Sequence, residues 1–478
     1  MPSERVTRRE ILAAKTKKKP KKKKSSVKRV DVAVVGAGLS GLAAARDVLK
    51  SGRSVLVLEA QNRVGGRTES QPFRDAYVEH GGVFLIDEER ERELIKIARE
   101  LKIGVIDLEP KGDHLYHRDG NLVRYNRNGP TGRLPITPAA APEVLAFSQL
   151  LEQRIREVPP DRPWAGPTAV ELDSQTFASF RDANMVSRDA KWVIDTITET
   201  LTGNEPRDLS LLDLCKLVAG AEGLTAQQVV EESGLHRFDG GSQAISVGMA
   251  KKLGKRVILN SPVRRIEQRG RKVTLTSDRA TVIARSVIVA IPPFLTTRID
   301  WDPLLPPQRV QLSQRVPNAT VFRISVGYET PFWYDDGLTG EVWYDNEPLR
   351  FAWDVTPPDK RLGQLTAFIN GAAARRWCRR SAAERRAGII DNLVTAFGER
   401  ARKPLYLFEK GWSFTEWTAS CQYGVFPPGV LTGYGESLRP SHGRVHWAGT
   451  EVATEWAASM EGAVRAGQSA AKAALAQL

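Results

Sequence analysis

The chain has 478 residues, 41% hydrophobic and 26% charged, which fits a globular protein of two or three structural units and excludes a fibrous or low-complexity one. Three cysteines cannot form a disulfide framework, and no stretch reaches the roughly 18 consecutive apolar residues a transmembrane helix needs. The net charge of +14 is concentrated at the start: residues 1–30 hold nine Lys and four Arg against Glu4 and Glu10, a net +11, leaving +3 for the other 448 residues.

Residues 1–29 read as a disordered basic tail that solubilises the chain. The alternative is contact with nucleic acid or an anionic surface through residues 15–29. No aromatic residue interleaves those lysines, which argues against base stacking. Thr7-Arg8-Arg9 faintly resembles a twin-arginine export signal, but Lys17-Lys18-Lys19 stands where an apolar stretch is required. A cytoplasmic location is expected.

Order is expected to begin near Arg29. Val30–Val35 is a β-branched run of the kind found in buried parallel strands, and residues 42–49 have helical composition. Residues 54–58 form a second strand ending at Glu59, completing a βαβ unit. Residues 87–101 have apolar positions at helical spacing. The stretch 106–236 reads as mixed and largely helical. Gly240-Gly241-Ser242 opens a further helix, and 257–259, 263–266 and 287–291 read as strands, the last stopped by Pro292-Pro293. Beyond them, strands at 321–328 and 365–370 alternate with a helix at 381–397.

The turn after the first strand carries the clearest chemistry. Gly36 permits a tight turn, Gly38 lets backbone approach a pyrophosphate, and Gly41 permits close packing of helix on strand. The helix start then faces the phosphates with its partial positive charge, and Ser40 can add a donor. Glu59, about 20 residues on, is placed to accept ribose hydroxyls and disfavours a 2′-phosphate. Arg63-Val64-Gly65-Gly66-Arg67-Thr68 follows directly, with guanidinium groups suited to phosphate.

Further ordered motifs run along most of the chain. They are Gly81-Gly82, Pro163-Trp164, Phe238-Asp239-Gly240-Gly241-Ser242, Ala290-Ile291-Pro292-Pro293, Arg315-Val316-Pro317, Pro331-Phe332-Trp333, and the block from Cys421 to Glu461. With them, the sequence from about 30 to 472 resembles the flavin-containing amine oxidase family, monoamine oxidases in particular. The resemblance implies an α/β and α+β fold. A Rossmann-like, glutathione-reductase-like FAD-binding domain would be assembled from 30–105, 237–293 and 413–478. A substrate-binding domain of mixed or antiparallel sheet plus helices would come from 106–236 and 294–412.

It also implies roles. Gly36, Gly38, Ser40, Gly41, Glu59, Arg67 and Gly82 would bind FAD, and Val263 would meet the adenine side. Trp412, Gly449, Glu451 and Met460 would line the flavin. Cys421 aligns with the cysteine that monoamine oxidases join to the flavin 8α-methyl; the competing reading is a buried, unreactive thiol. Gln422 and Ser459 stand where monoamine oxidases have two tyrosines that frame the amine, so the aromatic cage is missing. Arg323 replaces a lysine, and Trp456 is placed to wall the flavin. An arginine that stays charged, beside polar side chains, points to a substrate more polar than a simple arylalkylamine.

The expected activity is FAD-dependent oxidation of an amine to an imine, then an aldehyde or ketone plus ammonia or amine, with O2 reduced to H2O2 by a homodimer. No hydrolase triad, metal-ligand spacing or patterned His base competes. The alternatives are an L-amino-acid or alkaloid oxidase or a flavin desaturase of the same superfamily. In a different class, the alternative is a nucleic-acid-associated protein working through its lysine tail.

Overall fold

The structure is a computed structural model that describes residues 27–85, 89–108, 111–126, 128–129, 134–224, 236–421 and 423–478. Residues 1–26 of the basic tail and Gln422 lie outside the described residues. The tail expected over 1–29 is shorter at its end. The first strand spans Val27–Val35, and its residues 27–29 pair in parallel with Thr281–Ile283. Val27, Lys28 and Arg29 are therefore part of a sheet.

An eight-stranded sheet forms the dinucleotide side. Its parallel core runs Val257–Ile258, Val55–Leu58, Val27–Val35, Thr281–Val289 and Val445–Trp447. Val32, Ala33 and Val34 are wholly buried because both faces of the sheet are covered, which is why the strand reads as an unbroken apolar run. Val263–Arg269 and Lys272–Ser277 add an antiparallel meander. Asp300–Asp302 pairs with that meander, so this sheet reaches into the span 294–412 expected on the substrate side.

The helix Leu39–Lys50 leaves the first strand and packs on the C-terminal helix Met460–Ala476. A side chain at Gly467 would meet the Ser40 carbonyl at 2.1 Å, so the glycine sets how closely the two helices approach.

A second, seven-stranded sheet runs in the order Tyr406–Gly411, Val321–Tyr328, Gly363–Asn370, Phe351–Asp354, Leu338–Tyr344, Asp113–Arg118 and Asn121–Tyr125. It is antiparallel except where Leu338–Tyr344 meets Asp113–Arg118. The two last strands fall inside a stretch expected to be largely helical. The missed signal is Asp119-Gly120, whose backbones both take positive φ (50° and 79°) to make a tight hairpin. Helices take over only from Ala141–Arg156 onward. The helix expected over 87–101 starts at Arg92, and the strand expected over 287–291 starts at Thr281 and ends at Val289.

Candidate active site

One cavity of about 360 Å3 runs between the two sheets. At one end it meets the first strand-to-helix turn, Gly36, Gly38, Leu39 and Ser40, together with Glu59, Gly65, Gly66, Arg67 and Gly82. At the other it is walled by Phe84, Leu201, Leu217, Val218, Phe351, Trp353 and Phe368. Cys421, Arg323, Gly449, Trp456, Ser459 and Met460 also line it, and Pro262 and Val263 border it on the dinucleotide side.

The glycines of the turn divide by function. A Cβ at Gly36 would lie 2.7 Å from the Ala290 carbonyl, and one at Gly41 would lie 2.1 Å from the Gly36 carbonyl, so both are required for packing. A Cβ at Gly38 would meet nothing nearer than Gly66 Cα at 3.9 Å. Packing does not require that glycine; its bare backbone leaves space in the cavity. Gly38 is also the N-cap of the helix and makes no side-chain cap, so the first-turn N–H groups remain for a ligand.

Glu59 is buried at the end of the second strand. The Ala37 N–H donates to its Oε2 (2.6 Å) and the Gln61 N–H to its Oε1 (2.8 Å). Burial pushes its carboxyl pKa up, against those two backbone donors. The Ser40 Oγ accepts from the Gly449 N–H (2.9 Å), which ties the 448–449 segment to the helix start. These groups fit the phosphates and ribose of a dinucleotide.

Several expected roles change. Trp412 does not line the cavity: it is wholly buried, donating its indole N–H to the His80 carbonyl (2.6 Å). Glu451 lies behind the wall and grips Arg67 in a bidentate pair (2.7 and 3.0 Å). The Arg67 fork is thus spent on a carboxylate of the protein. Arg63 likewise donates to the carbonyls of Val64, Gly66 and Thr68 and pairs with Glu69 (2.7 Å). Both arginines organise the loop rather than present a free fork to phosphate.

Ser459 is a helix N-cap. Its Oγ accepts from the Gly462 N–H (3.0 Å) and donates to the Trp456 carbonyl (2.7 Å), so its hydroxyl is committed to the backbone. It does not offer the substrate the donor that the sequence suggested. Trp456 and Ala458 hold positive φ (55° and 68°), folding this segment over the start of the helix. The indole N–H of Trp456 is buried and without an acceptor.

Arg323 reaches the cavity from the strand Val321–Tyr328. Register places Lys410, Arg323, Phe368 and Phe351 in one row across four strands, and Phe408, Ser325, Thr366 and Trp353 in the next. Directly paired residues share a face, and residues two apart do too, so one face of this sheet forms the cavity wall. The Arg323 Nε donates to the Glu79 carbonyl (3.2 Å), and the guanidinium lies over the Phe368 ring (4.9 Å). Phe351, Trp353 and Phe368 were missed in the sequence; alternation in the strands Phe351–Asp354 and Gly363–Asn370 was the available signal.

Two residues along the chain from Cys421, Tyr423 enters a buried polar cluster that sequence reasoning also missed. Lys216, from the helix Leu211–Ala219, is buried and donates to Asp213 Oδ1 (2.8 Å) and to the Tyr423 hydroxyl. Tyr423 donates to the same Asp213 oxygen (3.1 Å), and Asp213 Oδ2 accepts from the Phe426 N–H (2.9 Å). The cluster pins the segment Tyr423–Phe426 to the helix that supplies Leu217 and Val218 to the cavity. His80, next to Gly81-Gly82, is held neutral: burial lowers its pKa to about 4.

A dinucleotide turn, an apolar pocket and a cysteine on one cavity define a flavoprotein oxidoreductase. Residues 39–475 match the family model described as flavin containing amine oxidoreductase, and the chain belongs to that family. It is 34% identical over 449 residues to a flavin-containing amine oxidase of Oncorhynchus mykiss, covering 92% of this chain and 85% of that one. Among solved structures it is similar to cyclohexylamine oxidase from Brevibacterium oxydans IH-35A (34% identity, TM-score 0.87, 94% of this chain and 99% of that one). It is also similar to a putrescine oxidase triple mutant redesigned in cofactor binding (32% identity, TM-score 0.88, 95% and 100%). The chain is an FAD-dependent oxidoreductase acting on amines. Among the described residues no helix is long and apolar enough to cross a membrane.

Proposed function

We propose that this chain oxidises the C–N bond of a small amine to an imine, with O2 as electron acceptor and H2O2 as product. The observation that carries the reading is the continuity of one cavity from the dinucleotide turn to the aromatic wall. FAD, when bound, accepts the two electrons of the amine and returns them to O2.

The chain's residues then have the following tasks. Gly38, Ser40 and the uncapped helix start receive the phosphates, and Glu59 the ribose. Val263 borders the adenine side. Gly82, Gly449, Trp456 and Met460 line the cavity and would hold the flavin portion, and the buried, unpartnered indole N–H of Trp456 would supply it a donor. Phe351, Trp353 and Phe368 exclude water and orient the substrate's apolar part. No histidine lines the cavity among the described residues, so a histidine general base has no place in this reading.

Cys421 is proposed as the point of covalent attachment. It is buried on the cavity wall, and a thiolate there interacts favourably with both Arg67 and Arg323. Precipitating the purified protein with acid tests this. Yellow colour stays in the pellet for the wild type and passes to the supernatant for Cys421→Ala; colour released from both removes the bond from the account. A cytoplasmic homodimer completes the proposal, resting on the three cysteines and on the family resemblance; sedimentation velocity tests the dimer.

A further inference from the structure

Arg323 is buried without a carboxylate hydrogen-bonded to its guanidinium. Its side chain is 2% exposed on the cavity wall, Nε is used by the Glu79 carbonyl, and Nη2 has no acceptor. Glu79 is the carboxylate whose charge acts on it, yet that carboxylate is committed elsewhere. Its Oε1 accepts from the Ser242 N–H (2.7 Å) and its Oε2 from the Ser70 hydroxyl (2.7 Å). Burial lowers the Arg323 pKa only to about 10, so the group is a cation at neutral pH. In the next row of the same sheet face stands Trp353, and its indole N–H is also buried without an acceptor.

A neutral acceptor, whether water or a carbonyl, satisfies an N–H but leaves a desolvated charge with no counter-ion in direct contact. A carboxylate satisfies both, and a guanidinium is shaped to bind one. The position narrows the choice further. Arg323 is close enough to feel a charge on Cys421, and both side chains line the one cavity that holds the flavin site of the proposed function. The carboxylate therefore belongs beside the reacting C–N bond.

We propose that Arg323, assisted by the indole N–H of Trp353, receives the carboxylate of the substrate, and that an α-amino acid is preferred over the corresponding simple amine. This rests on the amine-oxidising reading of the same cavity. The substrate's Cα–H and N–H bonds give up two electrons and two protons to form the imino acid; FAD, when bound, would take the electrons with the Cα–H proton, and the N–H proton would pass to solvent. Water then converts the imino acid to a 2-oxo acid and ammonia.

The test compares pairs differing only in the carboxylate: phenylalanine with 2-phenylethylamine, and leucine with 3-methylbutylamine, using both enantiomers of each acid. The purified holoenzyme is mixed anaerobically with each, and flavin reduction is followed. The expected result is a kcat/KM for the amino acid exceeding that for the amine by roughly a hundredfold, with that ratio falling at least as far in Arg323→Met. Trp353→Phe lowers the ratio by about tenfold and serves if Arg323→Met fails to retain FAD. A second readout needs no turnover: 3-phenylpropanoate perturbs the visible flavin spectrum of the wild type and loses that affinity in Arg323→Met.

A wild type that prefers the amine overturns the proposal, as does equal loss on acid and amine in Arg323→Met. If neither class reduces the flavin, the amine-oxidising reading fails. The 3-phenylpropanoate titration then decides the carboxylate site alone: Arg323-dependent binding supports it, and absence of binding overturns it.

Discussion

The two ends of the cavity are made of different material. At the dinucleotide end the lining is largely backbone, bare glycines and an uncapped helix start, with Ser40 and Glu59 as its polar side chains. At the substrate end they come from side chains carried on three strands distant in sequence, Val321–Tyr328, Phe351–Asp354 and Gly363–Asn370. A backbone-built site is fixed by sterics and tolerates little change, because a Cβ cannot be accommodated where two main chains touch. A side-chain-built site can be re-lined while the sheet beneath it stays intact. The difference explains how one cofactor site can serve many amines, with specificity set by a few positions such as Arg323 and Trp353.

The largest effect expected from this contrast is at Gly41. Its missing Cβ would sit 2.1 Å from the Gly36 carbonyl, and no flexible side chain is there to yield. Gly41→Val should cost more than about 3 kcal/mol and give little folded protein, whereas Gly38→Ala should fold but lose FAD affinity. Soluble expression and flavin content read the pair. Equal, mild behaviour of both variants would break the distinction between packing glycine and ligand glycine.

Next in size is the buried cluster of Lys216, Asp213 and Tyr423. Lys216→Met leaves Asp213 without its cation and should destabilise the protein by about 3–5 kcal/mol in urea denaturation. FAD content should fall with it, since Tyr423 and Phe426 lose the anchor that positions the neighbouring Cys421. Stability unchanged to within 1 kcal/mol, by the order of magnitude of surface changes, would show that the cluster does not hold this wall.

His80, behind the cavity and against Phe408 and Trp412, gives a pH signature. Its folded pKa, about 4, lies below the unfolded value near 6.5, so the unfolded chain binds more protons between them. Stability is therefore complete above pH 6.5 and is lost as pH falls towards 4, by roughly 2–3 kcal/mol. Urea midpoints measured across that window should slope in the wild type and flatten in His80→Gln. Parallel curves for the two proteins would assign the acid loss to other groups.

The smallest effect is at Ser459, where two functions compete. As the cap of the helix Met460–Ala476, Ser459→Ala should lower stability by about 1 kcal/mol and leave the ranking of substrates intact. A changed ranking with unchanged melting temperature would return the hydroxyl to the substrate.

The same contrast decided what could be read in advance. Gly36, Gly38, Gly41 and Glu59 keep their meaning at fixed spacing because one strand, one turn and one helix carry them, and the family motifs supplied Cys421, Gly449 and Met460. Trp412 and Glu451 were placed one layer too close to the cavity, since adjacency in a motif does not say which side of a wall a side chain takes. Ser459 lost its expected role to the helix it precedes. Phe351, Trp353 and Phe368 meet Arg323 only through sheet register, a long-range pairing that no local pattern states. The hairpin at Asp119-Gly120 was legible in principle, as a turn dipeptide between two short alternating runs.

The most direct test of the account is to purify the full chain, record its visible spectrum, and add amines and amino acids without oxygen. The account predicts a yellow protein whose flavin band bleaches with at least one of them and returns on admitting air, with peroxide formed. A colourless protein, or a yellow one that no amine or amino acid bleaches, would contradict it.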